Sequence, residues 1–168
     1  YAAAKGVLII HSAGNEAKLN TSTNNFPNKY VKISLAGEIQ NWIEVGASSE
    51  KKGLELPAAF SNYGKESVDI FAPGYKVIST IPDNQYAAYS GTSMAGPCVA
   101  AVGALILSQH PEMSGSEVRS LIRGSARPYA DLQVWQPTEG EEQKSVLFDS
   151  LSSTGGISDV FTALKRAL

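Results

Sequence analysis

After Gly6 the chain runs Val7-Leu8-Ile9-Ile10 and then turns on Ser12-Ala13-Gly14-Asn15. A continuous β-branched run without polar alternation marks a strand covered on both faces, and such strands belong to parallel sheets. The residues before it, Tyr1-Ala2-Ala3-Ala4-Lys5-Gly6, read as the last turn of a helix closed by a glycine cap. The chain is therefore expected to open inside a larger unit. Residues 42–47 (Trp-Ile-Glu-Val-Gly-Ala) form a second short strand, and residues 68–74, ended by Pro73-Gly74, a third. Residues 76–82 and 85–89 flank Asp83-Asn84 as the arms of a hairpin. Residues 20–30 are rich in Asn, Ser and Thr and read as a surface loop closed by Phe26-Pro27.

From Thr92 the period changes. Met94, Val99, Val102, Leu105 and Ile106 share one helical face, and Ala and Gly fill much of the rest, so this helix is expected to be buried nearly all round. Pro97 is tolerated only in a first turn, which sets the helix start close to Ser93; His110-Pro111 ends it. Ser114 and Glu117 have capping-box spacing and open a second helix with Val118, Leu121 and Ile122 apolar. Residues 127–153 read as irregular and polar, with 140–144 a hairpin tip, and Gly155-Gly156 leads into a final helix over 158–168. Strands followed by helices place the chain in the α/β class, a parallel sheet with flanking helices.

Composition narrows the function. The chain has 168 residues, 43% of them hydrophobic, enough for one core. Its net charge of -2 supplies no basic surface, which argues against nucleic acid or anionic lipid as a partner. The longest clearly apolar run, residues 99–107, is about half a membrane span. One Cys excludes an intrachain disulfide, and with only two His it leaves little material for a zinc site.

The chemistry concentrates in Tyr89-Ser90-Gly91-Thr92-Ser93-Met94-Ala95-Gly96-Pro97. A serine stands between a glycine turn and the start of a helix, where unpaired N–H groups and positive partial charge collect. An oxyanion forming beside Ser93 could bond its backbone N–H. Locally the same pattern also describes an ordinary helix cap. The company it keeps separates the two. Ala13-Gly14-Asn15, Phe60-Ser61-Asn62-Tyr63-Gly64 and Ala72-Pro73-Gly74 precede Gly91-Thr92-Ser93-Met94-Ala95 and Pro97 in fixed order.

This ordered set resembles the subtilisin-like serine peptidases, the subtilase family, from residue 6 to about residue 126, and the final helix also fits. The resemblance implies that Ser93 is the nucleophile and Asn15 the side-chain donor of the oxyanion hole. It further implies that Ser12, Ala13 and Gly14 line the pocket for the residue before the scissile bond, and that the Phe26-Pro27 bond is cis. The sequence departs from the family at Cys98, where His is usual; there a small buried hydrophobe is expected rather than a reactive thiol. Residues 16–25 also look longer than in compact members.

A serine nucleophile needs a general base and an orienting carboxylate. The family's Asp-[Ser/Thr]-Gly and His-Gly-Thr motifs are absent from this chain. His11 lies within the first strand, where a structural role is expected. His110 stands 17 residues from Ser93 at the far end of the helix, about 25 Å away at 1.5 Å per residue. Asp69 and Asp159 lack the motif context and receive no catalytic role. The chain is thus expected to be the C-terminal portion of one catalytic domain, without triad turnover by itself, whose parent hydrolyses polypeptides. The expected partners are a polypeptide substrate and the missing N-terminal part of the domain. The alternative is a catalytically dead domain kept for binding or scaffolding. The resemblance implies export, secreted or periplasmic. Calcium is common in the family, but no ligand set can be matched here and no cofactor is assigned. An α/β-hydrolase elbow needs Gly two residues after the nucleophile, and Ala95 stands there. Gly64-Lys65-Glu66-Ser67 lacks the spacing of a P-loop.

Overall fold

The computed structural model describes residues 1–30, 39–140 and 142–168. A short 3-10 turn over Ala3–Lys5 ends at Gly6, whose N–H returns to the Ala3 carbonyl, as the glycine cap implied. Five strands form the main sheet: β1 (Ile9–Ser12), β2 (Trp42–Ser48), β3 (Ile70–Pro73), β6 (Arg127–Pro128) and β9 (Gly156–Ile157), in the order β1-β2-β3-β9-β6. The first four in that order run parallel, and β6 lies antiparallel on β9. Ile10 sits beside Ile43, and Val45 beside Ile70.

Three helices, α1 (Thr92–Gln109), α2 (Gly115–Gly124) and α3 (Val160–Ala167), pack with the sheet around one core. Ile43, Val45 and Ile70 from the strands meet Val99 and Ile106 of α1 and Val118 and Ile122 of α2, all fully buried. Each such side chain contributes roughly 1.5–3 kcal/mol through burial. The capping box of α2 is formed from both sides, Ser114 accepting from the Glu117 N–H and Glu117 accepting from the Ser114 N–H. A second cluster joins Ala13, Val68 and Phe71 to Val134, Phe148 and Leu151.

The hairpin forms as expected, β4 (Val77–Ile81) against β5 (Gln85–Tyr89), with Asp83 and Asn84 both at positive φ. Asp and Asn tolerate that conformation better than most residues. The Phe26-Pro27 bond is cis.

Four expectations are corrected. β1 is parallel but only half-buried, and Val7 is exposed, because among the described residues β1 stands at the sheet edge, paired with β2 alone. α1 is not buried all round: Pro97, Ala100, Ala101, Ala104 and Leu105 face solvent. Alanines cannot distinguish a covered face from a bare one. Pro97 lies five residues after Thr92, in the second turn, where its missing donor frees the Ser93 carbonyl. Residues 127–153 are not irregular: they hold β6 and a second hairpin, β7 (Gln133–Trp135) against β8 (Ser145–Leu147), whose strands are too short to show a period. α1 also has the length and hydropathy of a minimal membrane span, but its apolar face is the core of the fold.

Candidate active site

The turn after β1 and the start of α1 meet at the carboxyl end of the parallel strands. Gly14 has φ 103, which glycine alone adopts freely, and a Cβ there would lie 2.5 Å from the Asn62 amide nitrogen. Four bonds tie the turn to α1. The Ser12 hydroxyl donates to the Thr92 carbonyl at 3.0 Å, and the Gly14 N–H donates to the Thr92 hydroxyl at 3.1 Å. The Asn15 amide oxygen accepts from the Thr92 N–H at 2.8 Å and from the Thr92 hydroxyl at 3.0 Å.

Both donors belong to Thr92, and an N–H can only donate, so the oxygen of Asn15 faces the helix and its NH2 faces away. Ser93 is exposed at the second residue of α1, where its N–H has no intrahelical acceptor. The position a Cβ of Gly91 would occupy lies 3.5 Å from Asn15 Nδ2 and 3.7 Å from the Ser93 N. Asn15 Oδ1 lies at 3.7 Å as well, so a side chain at Gly91 would crowd both the Asn15 amide and the start of α1. The loop behind is held as closely: the Gly91 N–H donates to the Gly74 carbonyl at 2.8 Å, and a Cβ on Gly74 would fall 2.6 Å from that of Ala47. The Ala-Pro-Gly stretch therefore needs its glycine for contact with the turn before Ser93.

Asn62, fully buried, was not singled out by the sequence. Its oxygen accepts from the N–H groups of Glu16 and Lys18 at 2.9 and 3.2 Å. Its NH2 donates to the Ala13 carbonyl, Glu16 Oε2 and Asn20 Oδ1 at 3.0, 2.7 and 3.0 Å. The bond from Asn62, with a smaller contribution from Lys18, holds the Glu16 carboxyl below its ordinary range. The only sequence signal was its place inside Phe60-Ser61-x-x-Gly64.

Neither histidine stands at Ser93. His11 Nδ1 lies 2.9 Å from the buried Glu44 carboxylate, which also accepts from the Trp42 indole at 2.8 Å and the Asn25 amide at 2.7 Å. His110 follows the last turn of α1 and pairs with Glu112 at 3.4 Å. Asp69 is a buried hub: it accepts from the Glu44 N–H at 2.8 Å and lies 3.3–3.6 Å from Lys29, Arg123 and Arg119. Asp159 caps α3 through the Thr162 N–H and pairs with Arg127. Cys98 is half-buried rather than buried, near the Pro73 carbonyl, and burial pushes its thiol up. Among the described residues no three His, Cys, Asp or Glu side chains gather where they could hold a metal ion.

A model of the subtilase family matches residues 1–151. Subtilisin E of Bacillus subtilis (strain 168) is 38% identical over 126 residues, which is 74% of this chain and 30% of that protein. A subtilisin of Bacillus pumilus is 37% identical over 126 residues, 74% of this chain and 41% of that protein. The chain thus spans less than half the length of these relatives. Among solved structures, that of the subtilase cytotoxin SubAB matches with a TM-score of 0.73 at 20% identity, over 98% of this chain and 51% of that one. A protease of Pseudoalteromonas arctica PAMC 21717 matches with a TM-score of 0.69 at 24% identity, over 99% of this chain and 44% of that one. The order of motifs, the parallel sheet and these matches lead to one assignment: the chain belongs to the subtilase family, peptidase family S8.

Proposed function

We propose that this chain carries the nucleophile and the oxyanion hole of a serine endopeptidase. The observation that supports this most is Asn15, whose amide oxygen is held by the Thr92 N–H and hydroxyl so that its NH2 points away from the helix start that carries the exposed Ser93. Ser93 Oγ attacks the carbonyl carbon of the scissile peptide bond and gives its proton to a general base. The carbonyl electrons move onto oxygen, and that oxyanion takes hydrogen bonds from Asn15 and the Ser93 N–H. Collapse expels the amine, which takes the proton, and leaves an acyl-enzyme on Ser93 that water hydrolyses. Thr92 orients Asn15 through its N–H and hydroxyl. Ser12, Ala13 and Gly14 form the wall for the residue before the scissile bond.

His11 and His110 are engaged elsewhere, so the base and its carboxylate come from a part of the catalytic domain outside this chain. The 168 residues alone carry out no triad turnover. Family membership favours an exported protein, secreted or periplasmic, and a polypeptide substrate.

The test is active-site labelling of the complete protein with a fluorophosphonate, which should modify Ser93 and be abolished by Ser93→Ala. Asn15→Ala should lower kcat by roughly 10²–10³-fold, the range known for such a donor in subtilisin, with little change in KM. Labelling that survives Ser93→Ala, or an unchanged kcat in Asn15→Ala, refutes the assignment. An absence of labelling would favour a catalytically silent domain used for binding.

A further inference from the structure

Thr92 is fully buried at the start of α1, and the turn after β1 engages every polar group it has. Its N–H and hydroxyl donate to the Asn15 amide oxygen at 2.8 and 3.0 Å. Its hydroxyl accepts from the Gly14 N–H at 3.1 Å, and its carbonyl accepts from the Ser12 hydroxyl at 3.0 Å. In an α-helix that carbonyl also accepts from the N–H four residues on, at Gly96, and a carbonyl oxygen has lone pairs for both. The next carbonyl, that of Ser93, loses its helical donor at Pro97. The first turn of α1 is thus short of internal bonds where Ser93 stands, and Ser12 supplies one from outside the helix.

The Ser12 hydroxyl is placed to hold the helix rather than to line a pocket. Ser12 is the last residue of β1, in register with Val45 of β2, and the next N–H, of Ala13, donates to the Val45 carbonyl at 2.9 Å. Its backbone is therefore fixed in the main sheet while its side chain reaches α1. A Cβ on Gly96 would lie 3.1 Å from Ser12 Oγ, inside ordinary contact distance. With any side chain at residue 96, the hydroxyl would have to shift from its place on the Thr92 carbonyl. Glycine is a poorer helix former than alanine, and the contact with Ser12 explains why one stands inside α1.

We propose that Ser12 is a positioning residue: acting through the Thr92 carbonyl, it sets where the Asn15 amide and the Ser93 N–H stand, and residue 96 is glycine to admit its hydroxyl. Thr92 is bonded to Asn15 and joined covalently to Ser93, so one displacement moves both donors. This rests on the peptidase reading above and adds to it a residue that acts on the transition state without touching it.

The experiment uses the complete protein with a fluorogenic peptide, and fluorophosphonate titration counts the functional molecules so that a misfolded fraction does not enter kcat. Ser12→Ala should lower kcat roughly fivefold, the factor equivalent to one ordinary hydrogen bond, with KM within twofold. Gly96→Ala, on the other element, should lower kcat by a similar factor. In the Ser12→Ala background, where no hydroxyl remains to be displaced, Gly96→Ala should cost nothing further, since residues in contact are not additive. An unchanged kcat in Ser12→Ala, a rise in KM alone, or an equal loss from Gly96→Ala in both backgrounds overturns the proposal. Amide exchange of Gly14 and Thr92, followed by NMR, reads the tie without any catalysis and should quicken roughly fivefold in Ser12→Ala. Quickened exchange in a protein that takes no fluorophosphonate keeps the tie and removes the peptidase; unchanged exchange in a protein that is labelled removes the tie alone.

Discussion

Replacing Asn62 by Ala tests how the loop that carries Asn15 is held. Asn62 joins five groups on residues 13–20. The loss can be apportioned from their surroundings. The Ala13 carbonyl keeps a donor, since Asn20 Nδ2 also reaches it at 2.7 Å. The N–H groups of Glu16 and Lys18 lie on exposed residues and can turn to water, so each lost bond costs about 1 kcal/mol. Asn20 is buried, and its Oδ1 loses its donor, which costs about another 1–3 kcal/mol. The total is about 3–5 kcal/mol, or a fall in Tm of roughly 6–20 °C for a chain of this size. Urea unfolding gives the first number and calorimetry the second. Hydrogen exchange should show the Glu16 and Lys18 amides losing protection while those of β2 and β3 keep theirs. The Glu16 carboxyl should also rise toward its ordinary pKa, since Asn62 is the chief cause of its depression. A loss below about 1 kcal/mol, with exchange at Glu16 and Lys18 unchanged, would show that something other than Asn62 holds the loop.

Asp69→Asn keeps the shape but removes the charge that faces Lys29, Arg119 and Arg123; urea unfolding should show a loss of about 3 kcal/mol or more, and a loss under 1 kcal/mol refutes the hub. Asp159 has its carboxyl held below the ordinary range, first by the Thr162 N–H and then by Arg127. Because its folded pKa is the lower one, its stabilisation is complete above the unfolded value, about 3.9, and is lost as pH falls through the folded value. The stability gap between the native protein and Asp159→Asn should therefore close on acidification below about pH 4; a gap independent of pH would contradict this.

Much of the candidate site was legible in the chain because its residues sit in short contiguous motifs. Gly91, Thr92 and Ser93 at a helix start, and Gly14 and Asn15 after a strand, declare their backbone needs locally. Asn62 did not, because its role consists of contacts 42 to 49 residues away with a loop of unremarkable composition. The β7–β8 hairpin escaped because three-residue strands carry too little alternation, and because Trp135 and Val134 gain meaning only against Tyr75 and Phe148. The bare face of α1 escaped for the opposite reason: its alanines suit either burial or solvent.

The bonds that join the β1 turn to α1 at the candidate site cross great lengths of chain, 80 residues from Ser12 to Thr92 and 77 from Asn15 to Thr92. A ribosome adds roughly 5–20 residues per second. The β1 turn is therefore made roughly 4–16 s before the threonine that will orient its asparagine. During that interval β1 can pair with β2, but the Asn15 amide lacks the Thr92 groups that hold it, and this arrangement forms only after α1 has been synthesised and docked.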